Sequence, residues 1–424
     1  VSLTTLIIFT IIGISMYLLS NRKSHKLGVE GSRLTIESNE SIYEAIYTYR
    51  EAFVKNRRGY FTKKISNSRR ELAKVLADSS FLPNISKYVL ETSIIIAALL
   101  ISAIQFILKD APHAIATLSI FLAAGTRIAP AVLRIQQNLL NMKNSLGIAD
   151  KTLLTIKQLE LESILQDSPE LPNFTYEGFS PTIIIENLEF QYTNKTDSNF
   201  VLKIEKLEIN EGESVAIVGP SGSGKSTLVD LILGLVNPNK GKITIGNLSP
   251  REAIRRWQGA IAYVPQEVYI ANSSIVDNVT LGYESNEVNK EAVLNALKVS
   301  ELMDFIEELS QGFDSKVGER GQLLSGGQRQ RLGIARAVYT KPHLLVMDES
   351  TSSLDGATEF AISKNFRNFG SQLTILFIAH RLSTIKDFDK IVYIDKGKIR
   401  SVGTFDEVRK EVQEFDHQAS LMGL

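Results

Sequence analysis

Residues 219–227 read GPSGSGKST, directly after the short apolar run SVAIV (214–218) and directly before the apolar-periodic run LVDLILGL. The stretch fits G-x-x-x-x-G-K-[ST] in the strand–loop–helix setting that gives this pattern its meaning. Glycines let backbone N–H groups turn toward phosphates, and the amino terminus of the following helix adds a favourable dipole. Gly219, Pro220, Ser221, Gly222, Ser223, Gly224, Lys225, Ser226 and Thr227 are therefore expected to bind the phosphates of ATP. Lys225 is placed to reach the β- and γ-phosphates, and the Ser226 hydroxyl to bind Mg2+. A bare glycine-rich turn is the plain alternative, and the flanking strand and helix argue against it.

A second run, HLLVMDE (343–349), completes such a site. A buried apolar strand that ends in Asp348 and Glu349 delivers carboxylates to the carboxyl edge of a sheet, where open α/β folds bind ligands. Asp348 suits Mg2+, and Glu349 is placed to orient and deprotonate an attacking water. Further along, LLSGGQRQR (323–331) sets a serine and two glycines at the start of another helix. One domain thus carries two anion-binding helix termini but one complete nucleotide cradle. Both are used if two such domains enclose ATP between them.

LSGGQ resembles the signature of the ATP-binding cassette family, and residues 182–415 are similar to its nucleotide-binding domain throughout. The resemblance implies roles for other residues. Tyr192 of FQY would stack on adenine, and Gln266 of YVPQE would link the γ-phosphate and Mg2+ to the membrane domain. Ser325, Gly326, Gly327 and Gln328 would meet the ATP held by a partner. Asp355 of SLD would contact that partner, and His380 of IAHRLS would sense the γ-phosphate. The family often has SALD where this chain reads SSLD, so Ser353 stands in the place of the alanine; no catalytic group is lost. GERG (318–321) just before the signature resembles exporters rather than importers.

The amino-terminal third has a different texture. Residues 1–20 carry no charge, Thr92–Leu108 is a second apolar run, and a third begins near Ala111. Runs of this length match bilayer crossings better than three separate core helices. Between Asn21 and Lys87 fourteen Lys/Arg face seven Asp/Glu, which places that segment in the cytoplasm and Lys109–His113 outside. Periodic apolar positions over 33–80 read as long helices, with a turn expected at Gly59. Gln166–Thr182 holds three prolines and reads as a linker.

These readings assemble into an α-helical transmembrane domain, partial and with three spans, fused to an α/β P-loop cassette with a mainly parallel sheet. The expected boundaries are 1–165 for the membrane part (spans near 1–20, 88–108 and 112–134), 166–181 for the linker, 182–415 for the cassette and 416–424 for a tail. By resemblance to exporters, the spans would be the last three of six, so the chain reads as the carboxy-terminal part of a longer polypeptide. It would work as a dimer of half-transporters, a homodimer, in the inner (plasma) membrane, with its cassette in the cytoplasm.

Composition excludes some classes. The net charge is zero and the pI about 7.1, which gives no footprint for nucleic acid. No cysteine is present, which removes disulfides and thiol catalysis. Substrate is expected from Arg127 and Arg134 in GTRIAPAVLRIQ (125–136), deep in the third apolar run. Counted from Pro112 they lie about 22 and 33 Å along a helix. FLAAGTRIAPAVLRI resembles a membrane helix of lipid-linked oligosaccharide flippases. The pair is expected to meet an anionic or lipid-linked substrate, with membrane lipid around it. Export of a peptide, drug or lipid A remains the alternative, and a membrane-tethered regulatory ATPase a further one.

Overall fold

The computed structural model describes residues 2–108, 111–161, 175–192, 200–348, 353–379 and 381–424. The chain divides into two units, Val1–Ser168 and Pro169–Leu424.

The first unit is helical: α1 (Ser2–Tyr47), a short α2 (Tyr49–Val54), α3 (Arg58–Leu108) and α4 (Ala111–Leu161). At 51 residues each, α3 and α4 are about 75 Å long, far more than the ~30 Å of a hydrocarbon core. Each therefore has length for a crossing and for a long extension beyond it. Small residues let α1 approach α4. Ser20 and Ser24 are buried, and Ser24 Oγ donates to the Leu140 carbonyl at 2.7 Å. A Cβ on Gly147 would strike the backbone of His25 and Val29, so only glycine permits this crossing. A compact apolar core, Leu90, Phe121 and Ala129 with Ile12, Ile94 and Val132, ties α1, α3 and α4 together.

Among the described residues two helices, Arg58–Ile107 and Ala111–Gln158, are apolar and long enough to span a membrane. Only 6% and 17% of the 18-residue apolar stretch within each is buried, whereas a soluble core helix would be mostly buried. The expected span at 1–20 lies in α1, where Ile11, Ile14, Leu18 and Leu19 are exposed; the side chains of 1–6, 8 and 9 lie outside the described residues. The hairpin turn differs from expectation. It falls at Lys55–Arg57, where Asn56 takes φ +51°, while Gly59 is already helical, with nothing within 4 Å of an added Cβ. Asparagine tolerates the left-handed conformation, so no glycine is required.

The second unit is built on one nine-stranded sheet. Its strands are β1 (Ile183–Phe190), β2 (Leu202–Ile209), β3 (Ser214–Val218), β4 (Lys240–Ile245), β5 (Ile261–Val264), β6 (Leu344–Asp348), β7 (Thr374–Ile378), β8 (Lys390–Asp395) and β9 (Lys398–Gly403). The order is β4-β1-β2-β9-β8-β3-β7-β6-β5. The expected mainly parallel sheet describes only the β8-β3-β7-β6-β5 half. On the other side β4-β1-β2 is antiparallel, and β8 and β9 form an antiparallel pair, so the whole is mixed. Strands β3, β6, β7 and β8 are buried on both faces, which explains their apolar runs. Along β3, Ala216 and Val218 enter one core, Val215 and Ile217 the other.

Two boundaries also differ. Of the expected linker, 175–181 packs on this unit: Tyr176 Oη donates to the Thr340 carbonyl at 2.5 Å and Trp257 Nε1 to that of Glu177 at 3.1 Å. Burial pushes the Tyr176 phenol up to about 12. The expected tail begins inside a helix, Gln413–Leu421, that buries Phe415 and Ala419 in the core. Residues 162–174, which include 166–174 of the linker, lie outside the described residues.

Candidate functional site

The phosphate loop leaves β3 at Val218 and enters α5 (Lys225–Ile232), as the sequence pattern requires. Two glycines are mandatory for different reasons. Gly219 has φ +149°, and a Cβ there would strike the Ile394 carbonyl of β8. Gly224 caps α5 at φ +108°, and its Cβ would meet Phe200 Cζ at 2.8 Å. Lys225 is 6% exposed; its Nζ donates to the carbonyls of Gly219 and Pro220 at 2.8 and 3.0 Å. The ammonium is thereby held inside the loop. Ser223 Oγ is buried and makes no hydrogen bond with the described residues. An orphaned hydroxyl, a buried ammonium and a helix amino terminus in one loop fit a polyphosphate.

Parallel pairing brings the carboxylate to the same edge. β3 and β6 flank β7, and all three run the same way, so Asp348 ends β6 at the carboxyl edge where the loop begins. Asp348 is 9% exposed. Gln266 follows β5 by two residues and is exposed at that edge. Glu349 and His380, which follow β6 and β7, lie outside the described residues. Tyr263 of β5 was missed in the sequence. It sits opposite Val346 of β6, hence on the sheet face of Asp348 two residues on. Burial, then the charges of Asp348 and Asp230, push its phenol up to about 12, and its hydroxyl bonds the Asp348 carboxylate. Its place three residues before Gln266 was the available signal.

Tyr192 lies just beyond β1. Its ring meets Phe190 edge-on, centroids 4.8 Å apart, and its hydroxyl donates to Asp230 of α5 at 3.3 Å. The expected adenine-stacking residue thus lies against the helix that the phosphate loop opens.

The signature residues form a separate cluster. Ser325 caps the helix Gly326–Val338: its Oγ accepts from Gln328 N at 3.2 Å, and Gln328 Oε1 accepts from Ser325 N at 2.7 Å. This reciprocal pair satisfies two helix-end donors and fixes the terminus. Gly327 packs on the Ser353 carbonyl, 3.3 Å from where its Cβ would be. Asp355 caps the helix Gly356–Arg367, accepting from Ala357 N, Thr358 N and Thr358 Oγ1. The hydrogen bonds from Thr358 hold its carboxyl below the usual range. No hydrogen bond among the described residues joins Ser325 or Gln328 to the phosphate loop.

A family profile described as ABC transporter matches residues 202–352. Residues 202–352 form an ABC transporter domain. Similarity reaches beyond the ABC domain. The alpha-hemolysin translocation ATP-binding protein HlyB of Escherichia coli is 41% identical over 230 residues, 54% of this chain and 32% of that one. An ATP-dependent lipid A-core flippase of Desulfotalea psychrophila is 38% identical over 259 residues, 61% of this chain and 44% of that one. A solved bacterial Atm1-family ABC exporter with ATP bound covers 97% of this chain and 72% of that one, at 25% identity and a TM-score of 0.75. A helical unit followed by an ABC domain is thus an ABC exporter fold. The chain spans half or less of the length of the curated relatives it matches.

Proposed function

We propose that the chain is one subunit of a dimeric exporter that hydrolyses ATP to move an anionic amphiphile across a membrane. The observation that carries this reading is the pair of preorganised helix termini in one ABC domain, the phosphate loop at α5 and the capped signature helix at Gly326; among the described residues Ser325 and Gln328 make no hydrogen bond to the phosphate loop. Each needs an anion, and a second subunit supplies the complement. ATP lies between the phosphate loop of one subunit and Ser325, Gly326, Gly327 and Gln328 of the other, with Tyr192 against the base. Lys225 leaves its loop carbonyls for the β- and γ-phosphates. Ser226, Gln266 and Asp348 would hold Mg2+, whose chemistry is to neutralise charge between those phosphates. Glu349 takes a proton from water as the new oxygen–phosphorus bond forms, and the bond to the β,γ-bridging oxygen breaks. His380 contacts the γ-phosphate, and Asp355 lines the subunit contact. Binding closes the domains, and hydrolysis resets them. The basic segment after α1's apolar stretch supports a cytoplasmic ABC domain, and with it the reading of an inner membrane.

The arginines support the anionic substrate. On α4 the buried positions Gly125, Ala129, Gln136 and Leu140 form the stripe that packs in the unit, and Arg127 and Arg134 lie exposed on the opposite side. Seven residues are nearly two turns, so the two guanidinium groups share a face. Exposure of such a charge to hydrocarbon costs at least ~2.5 kcal/mol, so the face is reserved for a polar cavity. Guanidinium forks bind phosphate oxygens bidentately, which fits a lipid pyrophosphate. The Arg127→Gln/Arg134→Gln chain is expected to lose most transport of a lipid-linked pyrophosphate in proteoliposomes, and its stimulation of ATPase, while basal ATPase persists. Undiminished transport would make the pair structural and return the substrate to the peptide, drug or lipid A class.

A further inference from the structure

The Tyr192 hydroxyl is held from two sides by a single helix. It donates to Asp230 Oδ2 at 3.3 Å, and the Thr227 hydroxyl also bonds it. Thr227 and Asp230 are three residues apart in α5 and therefore neighbours on one face. With its oxygen bonded there and its ring meeting Phe190 at an interplanar angle of 84°, the ring is held on two sides. A base can stack on phenylalanine or tryptophan as well as on tyrosine, so stacking alone does not call for this hydroxyl. Asp230 belongs to no phosphate-binding pattern, and the hydrogen bond its half-buried carboxylate makes among the described residues is the one from Tyr192.

We propose that Thr227 and Asp230 are positioning residues for base recognition, clasping the Tyr192 hydroxyl so that its ring stands at a fixed place relative to the phosphate loop. The proposal rests on the reading of 219–227 as a nucleotide site and adds how the base end is registered to the phosphate end. Both ends hang on the first turns of α5: Lys225 serves the phosphates, and the next helical turn orients the platform for the base. Preorganisation of this kind raises affinity by removing the cost of ordering a side chain on binding.

The test compares two probes on the full chain, ATP and inorganic tripolyphosphate, by equilibrium binding in detergent. Tyr192→Phe keeps the ring and removes the hydroxyl; Asp230→Ala removes the acceptor. Each is expected to weaken ATP about three- to tenfold, the scale of one hydrogen bond, and to leave tripolyphosphate unchanged. Asp230→Asn, whose amide oxygen still accepts, should restore ATP affinity to near that of the unmodified chain. The double variant should be no weaker than the weaker single, because both remove one contact. Equal weakening of both probes would mean that α5 is merely destabilised, and that overturns the proposal. So would unchanged ATP affinity in both singles, or losses that add. Lys225→Ala is the control and should weaken both probes. If it changes neither, the nucleotide reading fails and takes this proposal with it.

Discussion

Replacing Glu349 with glutamine is expected to lower steady-state ATP hydrolysis by roughly two to four orders of magnitude, the usual contribution of a general base. ATP binding should survive. Glutamine keeps the size of the side chain and its ability to orient water through hydrogen bonds, but it accepts no proton at neutral pH. Glu349 follows Asp348, the last residue of β6, and β6 points its carboxyl end at the edge where the phosphate loop leaves β3. Lys225 and the loop amides, proposed to hold phosphate, and Asp348, proposed to hold Mg2+, are untouched by the change. Phosphate release and equilibrium binding of ATP, measured on the same preparation, separate the two effects. Unaltered hydrolysis would remove Glu349 from the role of base.

The second large effect concerns the composite site. Lys225→Ala chains and Ser325→Arg chains should each be inactive, the first for want of a phosphate ligand, the second because an arginine replaces the cap of the signature helix. Mixed before assembly, they should regain activity. In a mixed dimer the phosphate loop of the Ser325→Arg chain faces the intact signature of the Lys225→Ala chain. With random pairing half of the dimers are mixed, and each holds one intact site of two, so roughly a quarter of the unmodified rate is expected. ATPase assays on the mixture and on each variant alone measure this. A dilute monomer that hydrolyses ATP at full rate would refute the two-subunit account.

What was legible in the sequence is what local chemistry constrains. GPSGSGKST must be a tight loop between a strand and a helix, and it is; Gly219 and Gly224 carry the positive φ angles and close contacts that admit no side chain. LSGGQ announces a helix terminus because its serine and glutamine form a reciprocal cap three residues apart. Contacts between distant segments leave no such trace. The bond from Tyr192 to Asp230 joins residues 38 positions apart, and the docking of Tyr176 on Thr340 joins residues 164 apart. Neither follows from periodicity, so Asp230 went unnoticed and 175–181 read as linker from the three prolines of Gln166–Thr182. The antiparallel β4-β1-β2 group was hidden for a related reason: strand direction depends on connections, and alternating burial looks alike in both senses. The turn at Asn56 was misplaced by three residues because glycine is the commoner signal for it.

The most direct test of the account is ATP-dependent cross-linking of two chains through the proposed composite site. The chain contains no cysteine, so introduced thiols are the sole targets. Chains carrying Ser221→Cys in the phosphate loop are mixed with chains carrying Ser325→Cys at the signature, both with Glu349→Gln to retain bound ATP, and treated with a short bifunctional thiol reagent. The account predicts a covalent dimer that forms with ATP and Mg2+, is absent without nucleotide, and is lost when Lys225→Ala is added to the Ser221→Cys chain. A product that stays monomeric with ATP, or a dimer that forms equally well without it, would contradict the account.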